Sequence, residues 1–134
     1  MMEADITGIL NNSHTIAVVG LSPHSDRPSH EVAEYMQRHG YRIIPVHPHA
    51  DTILGEKVYR RLEDIPEPVD IVDVFRKAED TPPVAESAVR IGAKTFWLQL
   101  GIENDVAESI AEAGGLSVVH DRCIKIEYER RVGA

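Results

Sequence analysis

Short apolar runs rich in branched side chains recur along the chain at 15–19 (Thr15 to Val19), 41–46 (Tyr41 to Val46), 71–75 (Ile71 to Phe75), 95–100 (Thr95 to Leu100) and 116–119 (Leu116 to Val119). Such runs predict five β-strands, and their low charge suits strands buried on both faces of a parallel sheet. Between most of them, apolar positions recur at helical spacing. Val32, Ala33, Tyr35 and Met36 precede Gly40; Val84, Ala88 and Ile91 precede Gly92; Val106, Ile110 and Ala113 precede Gly114. A glycine closes a helix in the left-handed conformation without steric cost, so each of these segments predicts a helix with its own stop. Alternating strands and helices predict an open α/β fold, because parallel neighbours need a crossover. The exception is 47–70, where three prolines and Gly55 predict a long connection with one short turn. A short amphipathic segment (Ile6, Ile9, Leu10) precedes the first strand, and a charged tail, 125–131, follows the last.

A chain of 134 residues is the size of one domain, here 1–134, and is long enough to bury a core without disulfides or a structural metal. No apolar run approaches the roughly 20 residues of a membrane span. The start, Met1-Met2-Glu3-Ala4-Asp5, lacks the basic and apolar stretches of a signal peptide, so a cytoplasmic location is expected. A single cysteine, Cys123, excludes an internal disulfide and a cysteine-rich zinc site. The net charge of −8 repels nucleic acids and anionic membranes, and neither is expected as a partner.

In open α/β folds the ligand lies beyond the carboxyl ends of the strands, which directs attention to the loop after the first strand. That loop reads Gly20-Leu21-Ser22-Pro23-His24-Ser25-Asp26-Arg27-Pro28-Ser29. A dinucleotide fingerprint needs Gly-x-Gly-x-x-Gly and a later acidic residue. Here Ser22 and Ser25 replace the second and third glycines, and no carboxylate follows the second strand before Asp51, which disfavours NAD. No Gly-Lys-Ser or Gly-Lys-Thr exists, which excludes a Walker loop. What remains suits phosphate: a glycine turn, the hydroxyls of Ser22 and Ser25, Ser29 as a helix cap and the forked cation of Arg27. The alternative is that Gly20 only turns the chain, Ser29 only caps and Arg27 is solvated.

Beyond this loop a longer pattern emerges. Ile16-Ala17-Val18-Val19-Gly20-Leu21-Ser22-Pro23 with Asp26-Arg27-Pro28-Ser29, then Gly40-Tyr41-Arg42-Ile43-Ile44-Pro45-Val46 with Pro48, are followed by Ile53-Leu54-Gly55-Glu56 and Asp64-Ile65-Pro66. Val72-Asp73-Val74-Phe75-Arg76, Gly92-Ala93-Lys94, Trp97-Leu98-Gln99-Leu100-Gly101 and Asp121-Arg122-Cys123 complete it. In this order and spacing the motifs resemble the family of small stand-alone CoA-binding proteins, which is similar to the N-terminal domain of the succinyl-CoA synthetase alpha subunit and of ADP-forming acyl-CoA synthetases. The resemblance implies a Rossmann-like parallel five-stranded sheet with helices on both faces, and coenzyme A across the strand ends. It implies that Gly20, Ser22 and Arg27 meet the phosphates and that Val46 and Pro48 line the adenine side. Phe75 and Arg76 would border the nucleotide, and Gln99 with Gly101 would lie near the pantetheine arm. One departure stands out: His47-Pro48-His49 replaces the asparagines usual around that proline, which puts their hydrogen bonds in doubt.

Synthetase chemistry uses a phosphorylated histidine that the resemblance assigns to a second domain, so no catalytic residue is expected here. Six of the seven histidines lie within the first 50 residues, and His24 and His47 follow neighbouring strands, but they lack the three or four pre-set ligands of a zinc site. Ser22, His120 and Asp121 lack the Gly-x-Ser-x-Gly elbow of a hydrolase. Trp97 reads as core. Cys123, next to Arg122, reads as a small buried hydrophobe; the alternative is a thiolate that forms a mixed disulfide with CoA. The expected function is therefore binding of CoA or acyl-CoA by a non-catalytic carrier, sensor or regulatory module. The alternatives are the CoA-binding subunit of an acyl-CoA ligase or transferase, and a thiol-redox protein acting at Cys123.

Overall fold

A computed structural model describes residues 4–133. Met1, Met2 and Glu3, part of the start read above as unlike a signal peptide, lie outside the described residues, as does Ala134. Helix α1 (Ile6–Asn12) leads into β1 (Thr15–Val19), then α2 (Pro28–Arg38) and β2 (Arg42–Val46). After a long connection come β5 (Ile71–Val74), α3 (Thr81–Arg90), β6 (Thr95–Leu98), α4 (Asp105–Ala113), β7 (Ser117–Val119) and α5 (Ile124–Arg131). Five strands form one sheet in the order β2-β1-β5-β6-β7, and every pairing is parallel. The fold is a Rossmann-like α/β domain, as the alternation of strands and helices predicts.

Side chains alternate across each strand, so the sheet separates two cores. Ile16, Val18, Ile43, Ile71, Trp97 and Val119 pack against α1, α2 and α5, while Ala17, Val19, Val46, Val72, Phe96 and Leu98 pack against α3 and α4. Trp97 is fully buried and its Nε1 donates to the Arg122 carbonyl (2.8 Å), which satisfies its only polar atom. On the second face small residues let the helices approach closely: Ala85 and Ala88 of α3 lie with Ala107 and Ala111 of α4 in one apolar cluster.

Several local expectations need correction. The run 95–100 stops being a strand at Leu98, because Gly101 turns the chain at φ +84° and Leu100 is left 64% exposed. Helices α2 and α3 are followed by left-handed Gly40 and Gly92, but Gly114 has φ −82° and it is Gly115 that is left-handed. Gly114 serves packing instead, since a Cβ there would strike the Val89 side chain of α3. Ser29 does not cap α2. Arg27 occupies the cap position with Pro28 in the first turn, and buried Ser29 accepts the Ser22 N–H on its hydroxyl (3.0 Å), fastening the loop to the helix. The charged tail is helix α5, which buries Glu127 beneath Arg122, Arg130 and Arg131. The connection 47–70 holds a short antiparallel ribbon, β3 (Thr52–Ile53) and β4 (Glu56–Lys57), besides the expected turn at Leu62–Asp64.

Candidate functional site

The strand order places the reversal of winding between β1 and β5: the chain moves from β1 outward to β2, then returns to the other side of β1. Loops diverge at that point and leave a crevice at the carboxyl edge. Gly20 and Phe75 face each other across it. The Phe75 N–H donates to the Val19 carbonyl (2.9 Å), and a Cβ on Gly20 would overlap the Phe75 carbonyl oxygen. With φ +85° as well, position 20 admits only glycine without strain. The Arg76 side chain lies beside it, its Nε 3.5 Å from where that Cβ would be.

A cleft of about 300 Å³ opens on this edge between the strand ends and α3, at the lower end of volumes that hold small organic ligands. Val19, Val46, Leu62 and Val84 form its apolar wall, and its charged lining is Arg60, Arg61, Arg76 and Glu63, whose carboxylate is held by Ser87 (2.8 Å) and Arg90 (2.5 Å). Arg60 and Arg61 hold Asp51 (3.0 Å) and Asp64 (3.3 Å); among the described residues Arg27 and Arg76 hold no carboxylate. Arg76, without a carboxylate partner among the described residues, is the cleft cation best placed to meet an anion.

The structure brings some expected residues together and separates others. Gly20, Phe75 and Arg76 meet at the crevice, and Val46 and Arg76 share the cleft wall. Ser22 and Arg27 stand on the first loop, where the Ser22 hydroxyl accepts the His24 N–H (3.1 Å) and Arg27 is exposed. Pro48 is exposed on the loop after β2. Gln99 is buried and its amide donates to Asp73 (2.5 Å), while the Gly101 N–H donates to Asp121 (2.7 Å). Burial raises Asp73 to a pKa of about 7, against the lowering effect of the Gln99 hydrogen bond.

Sequence reasoning missed Arg60, Arg61 and Asp73. Adjacent arginines in an acidic chain are a signal for the first two. An Asp amid the apolar residues of a strand is the signal for the third. At His47-Pro48-His49 the first histidine makes one set of asparagine-like contacts within its own loop. The His47 Nδ1 accepts the N–H groups of His49 (3.0 Å) and Ala50 (2.9 Å), the contacts an asparagine side-chain oxygen makes in an Asx turn. The Arg60 guanidinium clasps the same loop through the carbonyls of His47, His49 and Ala50. His24 lies near enough to His47 to act on it electrostatically, but among the described residues no group of three or more His, Cys, Asp or Glu is placed to hold a metal ion. No helix among them is long and apolar enough to cross a membrane.

Comparison with known proteins decides the family. Residues 14–129 match a family model described as a CoA binding domain. The chain belongs to that family. The chain is similar to a stand-alone protein of the same size: the uncharacterized protein YneT of Bacillus subtilis is 45% identical over 126 residues, covering 94% of this chain and 93% of that one. A solved structure of a hypothetical protein from Pyrococcus horikoshii is 38% identical with a TM-score of 0.94, covering 99% of this chain and 94% of the other. The ADP-forming acetate–CoA ligase II of Archaeoglobus fulgidus is 29% identical over 120 residues, 88% of this chain but 16% of the ligase. This chain is therefore related to the CoA-binding part of acyl-CoA synthetases and spans about one sixth of that larger relative.

Proposed function

We propose that the chain binds coenzyme A or an acyl-CoA across the carboxyl ends of its strands and acts as a non-catalytic carrier, sensor or regulatory module. The observation that carries this reading is the guanidinium-lined cleft of Arg60, Arg61 and Arg76 beside the β1–β5 crevice in a chain of the CoA-binding family. Gly20, Ser22 and Arg27 meet the phosphates, and Val46 and Pro48 take the adenine side. Phe75 and Arg76 border the nucleotide, and the pantetheine arm runs toward Gln99 and Gly101. The cleft alone is too small for the whole cofactor, which suits a ligand with its adenosine end in the cleft and its arm along the strand ends.

Thermal melts with CoA, dephospho-CoA and NAD test this. A ligand bound only by the folded state stabilises it by about 2.7 kcal/mol at a hundredfold excess over its dissociation constant. CoA is expected to raise the melting temperature well above NAD; equal shifts would remove the argument from the first loop. Turnover of acetyl-CoA by the isolated chain would overturn the non-catalytic role. The match to part of an acetate–CoA ligase favours a second reading, a CoA-binding subunit completed by a separate chain. Co-purification with a protein that restores ligase activity would support it.

A further inference from the structure

The loop after β2 is fastened through a histidine that can take up a proton. The His47 Nδ1 accepts two backbone N–H groups, from His49 at 3.0 Å and Ala50 at 2.9 Å. A ring nitrogen that accepts carries no hydrogen, so the ring is neutral with its hydrogen on Nε2. The loop in turn offers the carbonyls of His47, His49 and Ala50, and the Asp51 carboxylate, to the Arg60 guanidinium, which also lines the cleft. His47 thus positions Arg60 through the loop. A proton on Nδ1 would face two N–H groups, and both contacts would be lost together.

We propose that His47 is a proton-operated latch on the ligand cleft: neutral, it gathers the His49 and Ala50 amides and holds Arg60 in place; protonated, it releases the loop and lowers affinity for the ligand. This rests on the reading of the cleft as the CoA site. The surroundings favour the neutral state. Burial lowers the His47 pKa first, followed by His49 on the same loop, Arg76 at the end of β5, Arg60 after β4 and His24 on the first loop. The ring of His49 lies 6.2 Å away, and the nearby Asp51 carboxylate is held by Arg60. Because the folded-state pKa is lowered from the usual histidine value of about 6.5, the latch is set above that pH and opens only as pH falls through the lowered value.

The test compares CoA affinity at pH 7.5 and pH 5.0, by calorimetric titration, for the parent chain, His47→Asn and His47→Ala. An asparagine side chain accepts the same two amides and does not titrate. Ionisation of the ligand phosphates is common to the parent and the variants, so the difference in pH dependence isolates position 47. The parent is expected to lose about tenfold more affinity on acidification than His47→Asn, on the order of the loss of one or two hydrogen bonds. His47→Ala should bind weakly at both values. Equal pH dependence in the parent and His47→Asn overturns the latch. The amide NMR resonances of His49 and Ala50 supply a readout without ligand. In the parent they should move with the His47 titration, and in His47→Asn they should not. If CoA binds at neither pH, the ligand reading fails while these resonances still decide the latch, and resonances that stay fixed as the ring titrates overturn it.

Discussion

Two arginines on the ligand edge, Arg27 and Arg76, hold no carboxylate among the described residues, and they differ in what surrounds them. Arg76 lies in the cleft beside the Gly20–Phe75 approach, whereas Arg27 is exposed at the start of α2. A charge-assisted contact to phosphate contributes about 1.5–3 kcal/mol, or roughly ten- to a hundredfold in affinity. Arg76→Ala is therefore expected to weaken CoA binding at the upper end of that range and Arg27→Ala at the lower end. Neither should shift the ligand-free melting temperature, and calorimetric titration of the two variants measures the contrast. Asp73 is a different kind of residue, since it is 1% exposed and its pKa is raised to about 7 by burial. Its native state favours the proton. This contribution to stability is fully present below the usual carboxylate range and is lost as pH rises through about 7. Asp73→Asn removes the titration while keeping an oxygen for the Gln99 amide. Denaturant unfolding should find it more stable than the parent at pH 8, by on the order of a few kcal/mol, with little difference at pH 4.

At the scale of elements, the start of α4 is tied at three points. The Asn104 side-chain oxygen accepts the Ala107 N–H (2.9 Å), its amide nitrogen donates to the Ala78 carbonyl ahead of α3 (2.9 Å), and its own N–H donates to Glu108 (3.0 Å). Buried Glu108 also holds the His120 Nδ1 at the end of β7. That carboxylate raises the His120 pKa, so the pair stabilises the fold fully below about pH 6.5 and is lost as pH rises through the raised value. An N-cap asparagine contributes about 1 kcal/mol over alanine, and here the tie to Ala78 is lost as well. Asn104→Ala is expected to destabilise by about 1–2 kcal/mol, read from urea midpoints at constant slope. Because α4 packs on α3, one wall of the cleft, the same variant should bind CoA somewhat less well without touching it.

At the scale of the molecule, charge is distributed against the overall balance. The chain carries a net −8, yet Arg27, Arg60, Arg61 and Arg76 gather on the carboxyl edge of the sheet. Asp51, Asp64 and Glu63 offset part of that charge, so Arg27 and Arg76 are the groups left to attract a small polyanion, while the surrounding field repels a long one. Interactions among exposed charges are screened beyond about 10 Å at 0.1 M salt. CoA affinity is expected to fall several-fold when salt rises from about 50 mM to about 500 mM. Duplex DNA should show no binding in a mobility-shift assay at about 150 mM salt. A salt-independent CoA affinity would mean that apolar contacts, and not the arginines, hold the ligand.

The alternation of apolar runs with helical spacing determined the five strands of the main sheet and their parallel pairing, because these follow from local periodicity. The resemblance of ordered motifs supplied the family, which the match over residues 14–129 bears out. Other features were not decided by local sequence. The run 125–131 reads as a charged tail until Glu127 is seen to be buried with three arginines around it, and those partners come from packing. Ser29 looks like a cap from its neighbours alone, but the loop geometry gives its hydroxyl to the Ser22 amide. Arg60 and Arg61 join Val46 and Arg76 only because the 47–70 connection folds back over the strand ends, where the Tyr59 N–H donates to the Pro45 carbonyl (3.0 Å) and the His47 N–H to Tyr59 (3.1 Å). Contacts across many residues depend on which way a loop closes, and that is decided by the tertiary structure and not by the residues beside it.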